Sequence, residues 1–214
     1  MINNTQLKTF LLNSEAKDLK GLAKIKTVYR PYICPFDDIL NSLPNNLSLF
    51  DVGCGSGSFL SIINEFKSPT KLAGVEISND LVENAKSLFK SKNIQTDIYK
   101  YDGTNIPEQL NEYDYVSMID VFHHIPPAVQ DAFMLQLFQK MKSNSTLIFK
   151  DIDKSSIFVL FNKLHDLLLS SEIGNEISVK RATDLLKKAG FTIESVSTRQ
   201  MLVYPHYTII AKKL

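Results

Sequence analysis

The chain contains no tryptophan, two cysteines and eight glycines in 214 residues. The cysteines, Cys34 and Cys54, make no metal-ligand spacing and no disulfide framework. They fit reduced thiols in a cytoplasmic protein. Neither sign of charge prevails: 24 basic side chains face 23 acidic ones, for a formal net charge of +1. A strong basic field for a phosphate backbone is therefore missing, and no clear nucleic-acid surface is expected. Long hydrophobic runs are missing too, and none approaches the roughly 20 residues of a membrane span. Met1 to Leu12 has no basic flank leading into an apolar stretch, so no secretory signal is visible. Internal repeats and low-complexity tracts are absent. What remains is a chain that is 44% hydrophobic, enough for the core of one α/β domain.

From about residue 47, apolar strand patterns alternate with amphipathic helical ones. Strands are expected at Ser48–Val52, Lys71–Ile77, Ile94–Tyr101, Tyr113–Ile119 and Thr146–Lys150. Helices are expected at Ser58–Phe66, Asn79–Lys90 and Ala128–Met141. Such alternation implies crossover units and a parallel sheet with helices on both faces. A helix at Ser178–Ala189 should stop at Gly190, a good left-handed cap. Strands at Thr192–Thr198 and Tyr207–Lys212 follow, joined by Arg199–His206 as an antiparallel hairpin at the sheet edge. The expected fold is thus a Rossmann-like, seven-stranded, mostly parallel sheet with an antiparallel last strand. Ahead of it, residues 1–46 read as short amphipathic helices, broken at Tyr29-Arg30-Pro31-Tyr32. The strongly apolar stretch near 155–175 reads as a helical insert.

The richest segment is Asp51-Val52-Gly53-Cys54-Gly55-Ser56-Gly57-Ser58. A strand runs into three glycines at alternate positions and then into a helix. Glycine there permits a sharp turn and lets a ligand lie against bare peptide. The spacing departs from the dinucleotide fingerprint, which wants a third glycine or alanine where Ser58 stands. Asp51 would repel a pyrophosphate but suits a cationic ligand. At the end of the second strand, Glu76, followed by Ile77, lies at a distance suited to binding a ribose diol.

These features resemble the class I S-adenosylmethionine-dependent methyltransferases. Asp51 to Gly57 is similar to that family's first motif, and Glu76 to the acidic residue after its second strand. Tyr101-Asp102-Gly103-Thr104 is similar to its third motif, whose aspartate contacts the adenine amino group. Tyr115 to Asp120, with Val121-Phe122-His123-His124, is similar to the fourth, and Ala189-Gly190-Phe191 with the hairpin to its C-terminal end. The resemblance implies S-adenosyl-L-methionine as cofactor. Its binding residues would be Asp51, Gly53, Gly55, Gly57, Glu76, Ile77, Asp102, Gly103 and Asp120, with Arg30 on the donor's carboxylate. It also implies that residues 1–46 form a lid over a domain of residues 47–214.

On the acceptor side, His124 stands at the carboxyl edge of the sheet, where a histidine can act as base near neutral pH. A histidine is frequent at this position in the family, which also gives it an architectural role. His123 and His124 read as strand neighbours pointing to opposite faces, a poor metal pair. Asp151 and Asp153 lack an evident third ligand, so no metal is expected. The Asn/Asp-Pro-Pro-Tyr/Phe motif of enzymes acting on adenine or glutamine nitrogen is absent. With the apolar insert, His165 and His206, this points to a small-molecule acceptor, an oxygen of a hydrophobic or aromatic intermediate. RNA or protein methylation, a non-catalytic donor-binding module and a nicotinamide-dependent reductase are the competing readings.

Overall fold

The computed structural model describes residues 1–17, 20–154 and 175–214. Seven strands form one sheet: β1 (Ser48–Val52), β2 (Lys71–Glu76), β3 (Asp97–Lys100), β4 (Tyr115–Ile119), β5 (Thr146–Ile152), β6 (Thr192–Met201) and β7 (Tyr204–Lys212). Their order is β3-β2-β1-β4-β5-β7-β6. The first five run parallel, and β7 runs antiparallel to both β5 and β6. The chain reverses between β1 and β4, so the carboxyl ends of those two strands open a crevice.

Helices cover both faces. On one side lie α1 (Asn4–Asn13), α2 (Gly21–Tyr29), α3 (Phe36–Ser42), α4 (Ser58–Lys67) and α5 (Asn79–Ser91), and on the other α6 (Gln130–Lys140) and α7 (Val179–Ala189). The alternation of side chains along β1 divides the core. Phe50 and Val52 join Phe133, Leu137, Leu185 and Leu186. Leu49 joins Leu7, Leu11, Ile39, Phe59 and Ile63, so the N-terminal helices share the core on α4's side. α7 is capped at its start by the Ser178 hydroxyl and at its end by Gly190, at φ 114°. A Cβ on Gly190 would lie 2.7 Å from the Phe138 ring.

The C-terminal hairpin is tighter than its sequence suggests. β6 runs on to Met201 and β7 starts at Tyr204, so a two-residue turn at Leu202-Val203 replaces the expected connection over 199–206. Leu202 takes φ 55° there, an unusual conformation for leucine, and the sequence offers no glycine or asparagine to announce it. β3 is shorter than the 94–101 expected, in keeping with its place at the sheet edge. The apolar stretch near 155–175, and His165 within it, lies outside the described residues except for its last position. Among the described residues, no helix is long and apolar enough to cross a membrane.

Candidate active site

The glycine-rich turn is held to β2 before any ligand is considered. The Val75 carbonyl accepts from the backbone N–H of both Gly53 (2.8 Å) and Cys54 (2.9 Å). Glu76 accepts from the N–H of Gly55 (3.0 Å), Ile77 (2.8 Å) and Ser78 (2.9 Å). All three glycines have positive φ, where a side chain is strained. Their surroundings differ. A Cβ on Gly53 would lie 2.4 Å from Val121, and one on Gly57 2.7 Å from Phe89, whereas one on Gly55 would meet nothing within 4 Å. Of the three, a Cβ would enter open space only at Gly55, and the other two glycines are required by packing.

A cavity of about 190 Å³ opens beside Gly55, lined by Gly53, Asp51, Arg30, Lys26 and Ser58 among others. Asp51 is buried and accepts a 2.6 Å hydrogen bond from the Ser117 hydroxyl. Burial pushes its carboxyl up to about 7; the Ser117 hydrogen bond and the Arg30 charge oppose the rise, and Glu76 adds to it. A buried carboxylate poised in this way favours a cationic partner. Arg30 and Lys26 provide the complementary charge for an anion. One cavity thus presents a carboxylate, two cations and bare peptide, which fits the zwitterionic end of an amino-acid-like ligand. Arg30, Asp51, Gly53 and Gly55 are brought together as the sequence suggests.

The other proposed donor residues, Gly57, Glu76, Ile77, Asp102, Gly103 and Asp120, are not part of this cavity's lining. Ile77 is 58% exposed, and Gly103 is its neighbour, since a Cβ there would lie 3.4 Å from Ile77 Cγ2. Together they form an apolar shelf at the end of β2. Asp102 turns its carboxylate onto its own loop, accepting from the N–H of Thr104 (2.8 Å) and Asn105 (2.7 Å). Those hydrogen bonds hold its pKa well below the usual range.

Asp120 follows β4 with φ 55°, a conformation rare outside glycine. Its Oδ1 accepts from the fully buried Lys150 ammonium. Its Oδ2 lies 3.9 Å from Arg30 and 3.8 Å from the Cys34 thiol. Burial works against the Asp120 charge, but Lys150, His206 and Arg30 outweigh it and keep the carboxyl well below its ordinary pKa. Burial likewise pushes the Cys34 thiol up to about 11. His206, opposite Ile152 on β7, is buried. Burial and then Lys150 hold its pKa down to about 4, against the influence of Asp120 and the Ile33 backbone.

The two adjacent histidines correct the strand reading. Phe122–His124 is a turn of 3-10 helix, and the two rings lie 4.1 Å apart rather than on opposite faces. His123 is buried, with Nδ1 2.6 Å from Asp151 Oδ1 and its backbone N–H 3.1 Å from Oδ2. His124 is exposed and does not line the cavity. Asp151 thereby commits both oxygens to protein donors, and Ile152 N–H adds a third bond. Among the described residues, no three potential ligands gather as a metal site would require.

Sequence reasoning missed four contributors. Lys26 is one lysine among several, with nothing to distinguish it. Glu15 accepts from the Ser58 hydroxyl at 2.5 Å, a contact between segments 43 residues apart. Ser117 and Lys150 did carry a signal: Ser117 is a polar residue inside an otherwise apolar strand, and Lys150 directly follows the apolar run Leu147–Phe149.

A family model described as a methyltransferase domain matches residues 26–196. The chain belongs to that family. Its members use S-adenosylmethionine. Among curated proteins, the chain is similar to a carboxy-S-adenosyl-L-methionine synthase of Campylobacter jejuni subsp. doylei. The two are 26% identical over 162 residues, covering 74% of this chain and 60% of that protein. The chain therefore spans about 60% of the length of such curated relatives. It is also similar to a mitochondrial ubiquinone biosynthesis O-methyltransferase of Candida albicans, 26% identical over 124 residues, covering 56% of this chain and 36% of that one. Among solved structures, magnesium protoporphyrin IX methyltransferase from Synechocystis PCC 6803 superposes with a TM-score of 0.68 at 18% identity, covering 99% of this chain and 100% of that one. A S-adenosylmethionine-dependent methyltransferase from Aquifex aeolicus gives a TM-score of 0.67 at 16% identity, covering both chains fully. Likenesses at such low identity establish the fold alone, and the sheet order above is the fold they share with this family member.

Proposed function

We propose that this methyltransferase-family chain moves a methyl group from S-adenosylmethionine to a small molecule, at an oxygen of a hydrophobic or aromatic intermediate. The observation that carries the donor side is the cavity beside Gly55, where Asp51 faces Arg30 and Lys26. Asp51 holds an ammonium group and Arg30, helped by Lys26, a carboxylate. Gly53, Gly55 and Gly57 keep the turn open to the ligand. Ile77 and Gly103 offer an apolar shelf to a flat base, with Asp102 at its edge for an exocyclic amine. Glu76 takes a hydroxyl of the ribose diol on the Oε2 lone pair left beside its three backbone donors. Asp120 orients Arg30. When bound, S-adenosylmethionine supplies an electrophilic methyl carbon on a sulfonium.

For an oxygen acceptor the remaining task is to place the hydroxyl in line and take its proton. His124 is the residue assigned to that proton. His123, tied to Asp151, holds the turn that carries it. The acceptor class is supported by the names of two relatives, which act on a ubiquinone precursor and on a protoporphyrin. The thiols of Cys34 and Cys54 suit a reducing cytoplasm. The relatives named as carboxy-S-adenosyl-L-methionine synthases favour a second reading, in which the donor itself is modified. RNA and protein acceptors, and binding without catalysis, are tested alongside.

Calorimetry with S-adenosylhomocysteine, S-adenosylmethionine and NADH tests the donor. Binding of the sulfur ligands alone is expected, and tight NADH binding without them sinks the proposal. Incubation with metabolite, RNA and protein pools, read by mass spectrometry, tests the acceptor. Release of S-adenosylhomocysteine with a methylated metabolite supports transfer, whereas a carboxylated donor selects the second reading. His124→Ala should lower turnover more than donor affinity; equal losses would make it structural.

A further inference from the structure

Among the described residues, one face of α2 carries a row of exposed apolar side chains. Leu22, Ile25 and Tyr29 are 61%, 56% and 48% exposed, at a spacing that lines them up on one side of the helix. Val28, on another side, is buried in the core, so α2 is seated while this stripe stays largely exposed. The side chains around the stripe are basic. Lys20 sits at the start of α2, Lys24 and Lys26 lie on it with Lys26 next to the stripe by helical spacing, and Lys8 is brought beside it from α1, its ammonium 3.3 Å from the Tyr29 hydroxyl and 4.4 Å from the ring centre. The sequence segregates charge in the same place: residues 1–30 carry six basic and two acidic side chains, a net +4 in a chain whose total is +1.

We infer that α2 docks the protein on an anionic lipid surface, with Leu22, Ile25 and Tyr29 in the acyl boundary and the surrounding lysines among the headgroups. An exposed apolar stripe edged by lysines is the arrangement that lies in a membrane interface without crossing it. Three side chains are too few for a stable protein partner, which needs roughly 800 Å² on each side. They are enough for shallow, reversible seating when lysines add electrostatic attraction. The placement also has a use. Lys26 and Thr27 of α2, and Arg30 just after it, line the donor cavity, so the helix that touches lipid also borders the site. An acceptor dissolved in the bilayer would then reach the site from the docked side. Only that last step rests on the proposed methyl transfer; the docking does not.

Co-sedimentation with vesicles decides it, using phosphatidylglycerol mixed into phosphatidylcholine, and phosphatidylcholine alone. The wild-type chain should pellet with the anionic vesicles, less so at high salt, and stay in solution with the neutral ones. L22E/I25E should lower the anionic partition coefficient by about tenfold or more. K20E/K24E should lower it comparably while leaving the apolar stripe intact, and it decides the matter if L22E/I25E fails to fold by circular dichroism. The inference is overturned if wild type stays in solution with anionic vesicles, if it pellets equally with neutral ones, or if a folded variant partitions as wild type does. S-adenosylhomocysteine affinity is measured on the same samples without vesicles. Its absence in the wild type would end the donor reading and leave the docking result standing.

Discussion

A methyl group added at Gly53 would run into Val121, at Gly57 into Phe89, and at Gly55 into nothing. Three alanine variants should therefore separate. Gly53→Ala and Gly57→Ala combine overpacking with a positive φ and should each lose about 2–4 kcal/mol in urea denaturation. Gly55→Ala should lose only about 1–2 kcal/mol, the conformational cost alone. It should nevertheless weaken S-adenosylhomocysteine binding, because its new methyl enters the cavity. Equal stability losses in all three would refute the division of roles. Asp51 gives a second contrast. Its carboxyl is raised from 3.8 to about 7 by burial, so the folded state holds a proton that the unfolded chain releases. That contribution is present in full below about pH 4 and is lost as pH rises through 7. Asp51→Asn removes the penalty and keeps an acceptor for Ser117. It should stabilise the protein at pH 8 by on the order of 1–3 kcal/mol while weakening donor binding. A less stable variant with unchanged affinity would contradict both halves.

The end of β5 is tied to the turn after β4 through Asp151, which takes the ring nitrogen and backbone N–H of His123. Asp151→Ala would leave those groups buried and should cost about 3 kcal/mol by chemical denaturation; a loss below about 0.5 kcal/mol would show that the tie is dispensable. This element also marks where the sequence stops being legible. Periodicity located the alternating strands and helices because burying one stripe or both faces leaves a regular pattern. Ser178 and Gly190 announced α7 for the same local reason. The 3-10 turn at Phe122–His124 was read as strand because three residues carry no period. The turn at Leu202-Val203 was invisible because its positive φ falls on leucine. The glycines and Asp51 were readable as a candidate donor site. Their partners Lys26 and Glu15 depend on distant segments meeting, which no local pattern encodes, whereas Ser117 stands out locally as a polar residue in an apolar strand.

For the whole molecule, donor binding and folding are linked. A ligand held by the folded chain alone, at about a hundred times its Kd, adds about 2.7 kcal/mol of stability. S-adenosylhomocysteine should then raise the melting temperature by several degrees. The rise should be larger at pH 8 than at pH 6, because the ammonium meets an ionised Asp51 only at the higher pH. A thermal scan with no shift at either pH would count against the cavity as the donor site. The sheet imposes an order on assembly as well. β7 comes after every other strand in the chain, yet it lies between β5 and β6 and pairs with both along most of its length. A ribosome that has not yet passed residue 204 leaves β5 and β6 with no neighbour to join them. The sheet therefore closes from its interior, once β7 is made, and a nascent chain stalled before β7 leaves the β5 edge that β7 covers open for other chains to pair with.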